Sequence, residues 1–201
     1  MLIWINGAFG VGKTTVAHEL KALYPQVHVL DPEEIGFFLR KLLPPDQRGG
    51  DFQDLALWRE WVRGVLEQAG RSVRTRAPVS SHPVVVPMTL VRPDYFTEIV
   101  GSLRSSGVDV HHFALLASRE TVLRRLRKRG EGPTSWAAQQ LERCVSALEH
   151  PEFARHLDTD RLTFDQVIDT IALETDLTGR CPYPRWQRTL RHRLITLRHL
   201  R

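Results

Sequence analysis

The chain has 201 residues, 42% hydrophobic and 25% charged, enough to bury one sizeable core. No run approaches the roughly 18 apolar residues that span a bilayer, and Cys144 and Cys181 lie far apart without a Cys/His pattern for zinc or a disulfide framework. The net charge is +5, but seven arginines and no acid fall in residues 180–201, so the first 179 residues sum to −2, which weakens a general nucleic-acid reading.

In chain order, Leu2-Ile3-Trp4-Ile5 is continuously apolar, as a strand covered on both faces requires. A helix over 13–23 buries Val16, Leu20 and Leu23 and stops before Pro25. VHVLD (27–31) reads as a second strand, and PEEIGFFLRKLL (32–43) as a helix with Pro32 in its first turn. PPDQRGG (44–50) is a loop. The next twenty residues are helical, with Leu55, Trp58, Val62, Val65 and Ala69 at three- and four-residue steps.

PVVVPM (83–88) is the third strand, a helix covers 93–105, and VDVHHFALLA (108–117) is the fourth strand. Residues 119–129 are helical, 130–134 a loop and 135–149 helical again. Leu157 falls in a short fifth strand, and FDQVIDTIALE (164–174) makes a closing helix. This alternation predicts an α/β domain around a buried parallel sheet over residues 1–179, followed by a basic tail.

Gly7-Ala8-Phe9-Gly10-Val11-Gly12-Lys13-Thr14-Thr15 contains G-x-x-x-x-G-K-[ST] at a strand-to-helix junction. There, glycines let backbone N–H groups curl around phosphates, Lys13 can reach the β- and γ-phosphates, and the Thr14 hydroxyl can ligate Mg²⁺. The helix N-terminus adds a field that favours an anion. No N-K-x-D or L-S-G-G-Q signature is present, and VVVPMTL lacks the terminal Asp of a motor-type second motif. The pattern suits a small-molecule kinase using ATP and Mg²⁺.

Asp31 stands at the carboxyl end of the second strand, the edge that forms the ligand crevice. It could accept a proton from a hydroxyl or orient magnesium waters, or simply cap the helix at Pro32. Glu33 and Glu34 read first as solvated first-turn acids, Glu34 being carried as an acceptor contact. Arg40 could hold an acceptor anion or hydroxyl, and Trp58 could stack on an acceptor ring, although its helical spacing also fits a core. The segment around 125–136 has the plan of a lid, with Arg125 and Arg129 four apart on one helical face and suited to neutralising charge in phosphoryl transfer. His111 and His112 point to opposite faces of a strand and make no metal pair.

In the tail, Trp186, Leu190, Leu194 and Leu197 step at helical spacing among arginines. Such a helix could lie on an anionic membrane surface, dock on its own domain or pair with a second subunit, with nucleic acid as the weaker alternative. The N-terminal stretch lacks the basic segment of a secretion signal, so a cytoplasmic location is expected, with peripheral membrane contact through the tail.

The blocks IWINGAFGVGKT, DPEEIGFFLRKLLP, DFQDLALWREW, VVVPMTLV, VHHFALLAS and SWAAQQLERCVSAL resemble the tunicamycin-resistance family of P-loop ATP-binding proteins, over roughly residues 1–150. The resemblance implies ATP binding at Gly7 to Thr15, a P-loop fold with helices on both faces of a five-stranded sheet of order 2-3-1-4-5, and protection against tunicamycin, a nucleoside antibiotic. It leaves two routes to protection open: phosphorylation of a hydroxyl of the drug, with Lys13, Thr14, Asp31 and Arg125 or Arg129 in the roles above, or ATP-dependent retention without chemistry.

Overall fold

A computed structural model describes residues 1–71, 82–132 and 134–181. Strand β1 (Leu2–Gly7) is buried along its whole length. It lies at the centre of a five-stranded parallel sheet of order β2-β3-β1-β4-β5, formed with β2 (His28–Val29), β3 (Val84–Pro87), β4 (Val110–Leu116) and β5 (His156–Asp158). β1 pairs with β3 from Leu2–Val84 and with β4 from Leu2–Val110. The sheet order anticipated from the family resemblance is the order found.

Helices cover the sheet because each presents one apolar stripe. α1 (Lys13–Leu23) buries Val16, Ala17, Leu20 and Leu23. α2 (Pro32–Leu42) and α3 (Ala56–Gly70) pack together, and α3 turns Trp58, Val62 and Leu66 inward. The stripe on α3 therefore follows four-residue steps. Val65, read from sequence as part of it, is 44% exposed.

The single helix expected over 93–105 is three consecutive turns: α4 (Pro93–Phe96), a wider π-turn (Thr97–Gly101) and α5 (Ser102–Ser105). The wider turn keeps Phe96, Ile99, Val100 and Leu103 all on the buried side. The second strand is shorter than expected because it sits at the sheet edge and its last residue, Asp31, turns out to cap α2. α6 (Arg119–Lys128), α7 (Trp136–Leu148) and α8 (Phe164–Glu174) complete the layers, and α8 begins with a reciprocal capping box between Thr163 and Gln166.

The described chain ends alongside α1, where the Cys181 amide donates to the Leu23 carbonyl at 2.7 Å. The amphipathic stretch from Trp186 to Leu197 lies outside the described residues. Among those described, no helix is long and apolar enough to cross a membrane.

Candidate active site

Parallel strands direct their carboxyl ends to one edge, and the loops leaving that edge carry the candidate residues. β1 runs straight into the glycine loop. Gly7 has φ of 149°, and a Cβ there would sit 2.6 Å from Val11 Cγ1 and 2.9 Å from the Leu115 carbonyl oxygen. Gly12 has φ of 114°, and its Cβ would fall 2.6 Å from Phe164 Cε1. Only glycine fits either position. Gly12 is also the N-cap of α1 and makes no side-chain cap, so the first-turn amides of α1 carry none of the side-chain oxygens that finish α2, α6, α7 and α8. A tight glycine cradle opening on an uncapped helix N-terminus fits a phosphate chain.

Lys13 is buried behind the loop, and its Nζ donates to the carbonyls of Gly7 (2.9 Å) and Ala8 (3.1 Å). Burial lowers its pKa to about 8, with the Glu33 carboxylate pulling partly the other way. Thr14 and Thr15 are half-buried at the start of α1. Gly10, Gly12, Lys13 and Thr14 line a cavity of about 520 Å³ together with Arg129, the residue that closes α6.

Arg125 and Arg129 share a helical face but not a task. Arg125 Nη1 donates to the Val11 carbonyl and the Thr159 hydroxyl, both at 2.9 Å, and its Nη2 donates to the Thr159 carbonyl at 3.0 Å. Its guanidinium also stands 5.5 Å from the Phe164 ring. Arg125 thus ties the phosphate loop to the turn after β5, whereas Arg129, one turn later, reaches the cavity itself.

A polar node holds the loop from behind. Asn6, fully buried, accepts the amides of Gly7 (2.8 Å) and Leu90 (2.9 Å) on Oδ1, which fixes its orientation. Its Nδ2 donates to the Leu90 carbonyl at 2.7 Å and faces His112 Nε2 at 3.3 Å. That nitrogen is therefore the acceptor, and Nδ1 faces the Ala154 carbonyl as donor at 3.4 Å. Beside it, Gln53 donates to the Thr89 carbonyl (3.0 Å) and the Thr89 hydroxyl to the Gly7 carbonyl (2.8 Å).

A second cavity, about 410 Å³, lies between α2 and residues 50–53. Asp31, Glu34 and Arg40, all expected near an acceptor, line it. Asp31 also caps α2, its Oδ1 accepting the Glu33 amide at 3.0 Å, which is the capping role weighed from sequence. Arg40 Nη2 donates to the Gly50 carbonyl at 2.6 Å and its guanidinium stands 5.4 Å from the Phe52 ring.

Of the two places weighed for Trp58 the structure gives the core, which corrects the acceptor contact: it is fully buried, its indole N–H donates to the Pro32 carbonyl at 3.1 Å, and its ring packs 5.4 Å from Phe52. It backs the cavity wall and presents no ring face to a ligand.

Glu33, read from sequence as a solvated first-turn acid, is the acid that lines both cavities. Its carboxyl is held above the usual range, first by burial and then by the Asp31 charge, with Lys13 opposing. Phe9 and Trp136 also line both, as an edge-to-face pair with centroids 4.7 Å apart. The spacing Asp31-Pro32-Glu33 carried the missed signal: with Asp at the N-cap and Pro at N1, the N2 side chain stands at the same helix end as the crevice.

Residues 2–151 match a family model described as an AAA domain. Among solved structures, the tunicamycin resistance protein of Deinococcus radiodurans is 35% identical, covering 90% of this chain and 98% of its own at a TM-score of 0.73. A gluconokinase from Sinorhizobium meliloti 1021 (19% identity, 84% and 87% coverage, TM-score 0.54) and a shikimate kinase from Bacteroides thetaiotaomicron (15%, 88% and 99%, 0.53) share the fold. No curated protein matches the sequence.

Proposed function

The chain belongs to the tunicamycin-resistance family of P-loop proteins, and from that premise we propose that it is an ATP- and Mg²⁺-dependent phosphotransferase acting on a hydroxyl of a nucleoside-like antibiotic, with tunicamycin as the first acceptor to test. The observation that supports this reading is that Phe9, Glu33 and Trp136 line both the cavity at the glycine loop and the cavity beside α2.

In this reading ATP supplies the transferred phosphoryl group and Mg²⁺ neutralises its charge. The glycine-loop amides and Lys13 bind the phosphates, while Thr14 and Asp31 are the metal-side oxygens. Glu33 takes the proton of the acceptor hydroxyl on its carboxylate, which burial and the Asp31 charge hold above the usual carboxylate range. Arg129 offers its guanidinium to charge that develops between the cavities, and Arg125 keeps the loop in register. Phe9 and Trp136 form an edge-to-face aromatic wall beside Glu33.

Mass spectrometry of tunicamycin incubated with the protein and Mg-ATP tests the reading. Gain of one phosphate on the drug is the expected result. Tightly held but unmodified drug would replace transfer with ATP-dependent retention, and drug neither held nor modified would remove tunicamycin as the ligand.

A further inference from the structure

Five of the seven large apolar side chains exposed among the described residues lie on one face, and we propose that this face of α2 and α3 pairs with a second copy of the chain. They are Phe38 and Leu42 on α2 and Leu57, Trp61 and Val65 on α3, each 38–59% exposed. Four-residue steps keep each set on one side of its helix, and the Phe38 and Trp61 rings, 6.3 Å apart, join the two sets into one patch. Together they expose on the order of 400 Å² of apolar surface, a contiguous area of a size that often serves a function. That is about half of the roughly 800 Å² each partner contributes to a stable interface, near the usual apolar share.

Gly64 points to another helix as the occupant. It stands on the exposed side of α3, three residues after Trp61, and a Cβ there would meet nothing within 4 Å, so the chain's own packing does not call for glycine. Glycine inside a helix is destabilising relative to alanine, but it lets a second backbone come close. Two α3 helices running antiparallel about the midpoint of Trp61 and Gly64 would set the indole of each copy over the glycine of the other, a self-complementary pairing closed by a two-fold axis.

The charges choose among partners. Glu34, Glu60 and Glu67 around the patch are matched by Lys41, Arg63 and Arg71, with Glu67 ion-paired to both arginines. A balanced rim suits a partner with the same balance. It offers no net attraction to an anionic lipid surface or to the chain's own tail, with seven arginines and no acid in residues 180–201. The tail also starts on the other side of the sheet. The described chain ends against α1, and the right-handed β1–β2 and β2–β3 connections, running in opposite directions across the sheet, put α1 and α3 on opposite faces. On its inner side α2 turns Glu33, Phe37 and Arg40 to the second cavity, so pairing would brace the helix that lines it.

Sedimentation velocity of the full chain between about 1 and 100 µM tests this. Wild type should pass from 23.1 kDa to twice that mass. Leu42→Lys/Val65→Lys, at exposed positions where lysine suits a helix, should weaken dimerisation at least about a hundredfold, since each change enters the interface twice. Gly64→Gln should raise the Tm of the monomer yet weaken the dimer at least about tenfold, whereas an exposed glycine without a partner would give only the first effect. Leu173→Lys, on α8 and the most exposed of the seven, should dimerise as wild type does. The proposal is overturned if wild type stays at 23.1 kDa, if either α2–α3 variant leaves the dimer intact, or if Leu173→Lys weakens it equally. With a monomeric wild type, flotation with phosphatidylcholine vesicles that Leu42→Lys/Val65→Lys abolishes would give the face to lipid. Hydrogen-exchange protection of residues 186–197 lost in that same variant would give it to the tail.

Discussion

Taking the protein from about pH 8 to about pH 5 should remove about 2 kcal/mol of folding free energy through His112 alone. Its ring is buried against Phe96 and Phe153, at centroid distances of 4.8 and 6.2 Å. Burial, with smaller repulsion from Arg104 and His156 and some relief from the Ala154 carbonyl, holds its pKa near 4 against an ordinary 6.5. The unfolded chain therefore takes up the proton first. Stability is whole above the unfolded pKa and falls as the pH drops from 6.5 towards 4. The full gap corresponds to about 3 kcal/mol, of which about 2 is lost by pH 5. For a chain of this size that is a fall of roughly 4–8 °C in Tm.

The site feels the same event, because protonated Nε2 becomes a donor facing the Asn6 Nδ2 donor, and Asn6 is the residue that positions the Gly7 amide. Thermal unfolding of wild type and His112→Gln across this range provides the assay. Glutamine's carbonyl can still accept from Asn6 but has no proton to gain, so the variant should lose the slope between about pH 8 and pH 5. Equal slopes in the two proteins would refute the reasoning.

Gly12→Ala should lower stability by about 2–5 kcal/mol, combining a left-handed backbone penalty with a clash against Phe164, and should abolish nucleotide binding; a variant with unchanged Tm and ATP affinity would contradict the cradle. Arg125→Lys keeps the charge but loses the fork that reaches Val11 and Thr159, so it should cost about 1–3 kcal/mol and weaken nucleotide binding. Arg129→Ala, by contrast, should leave stability within about 1 kcal/mol while lowering kcat on the order of a hundredfold. If the two arginine variants behave alike in unfolding and turnover, their division of labour is wrong. Glu33→Gln should reduce kcat by on the order of a hundredfold with ATP affinity within a few-fold of wild type. Asp31→Asn retains a good N-cap, so any loss of turnover it shows at unchanged Tm reports the charge alone.

The legible parts of this molecule are those whose chemistry is local in sequence. The phosphate cradle is backbone geometry over a few consecutive residues, and Gly7, Gly12, Lys13 and Thr14 stand at the strand-to-helix junction where their spacing put them. The capping acid Asp31 and the buried run Leu2 to Ile5 were readable for the same reason. Phase and partnership were not. The periodicity of α3 put Trp58 on the apolar stripe but put Val65 there too, and the partners that hold Trp58, Phe52 and the Pro32 carbonyl, lie outside the helix. Arg125 and Arg129 are equivalent as an i, i+4 pair, and it is groups far away along the chain, the Val11 carbonyl and the turn after β5, that hold the first, while the second lines the cavity. The junction that carries the functional reading is the extreme case. Phe9 comes from the loop after β1, Glu33 from the start of α2 and Trp136 from the start of α7, so no segment contains the pattern. A five-stranded sheet with β1 at its centre is what makes them neighbours, and a change that shifts α7 by one residue would separate Trp136 from Phe9 without altering any motif in the chain.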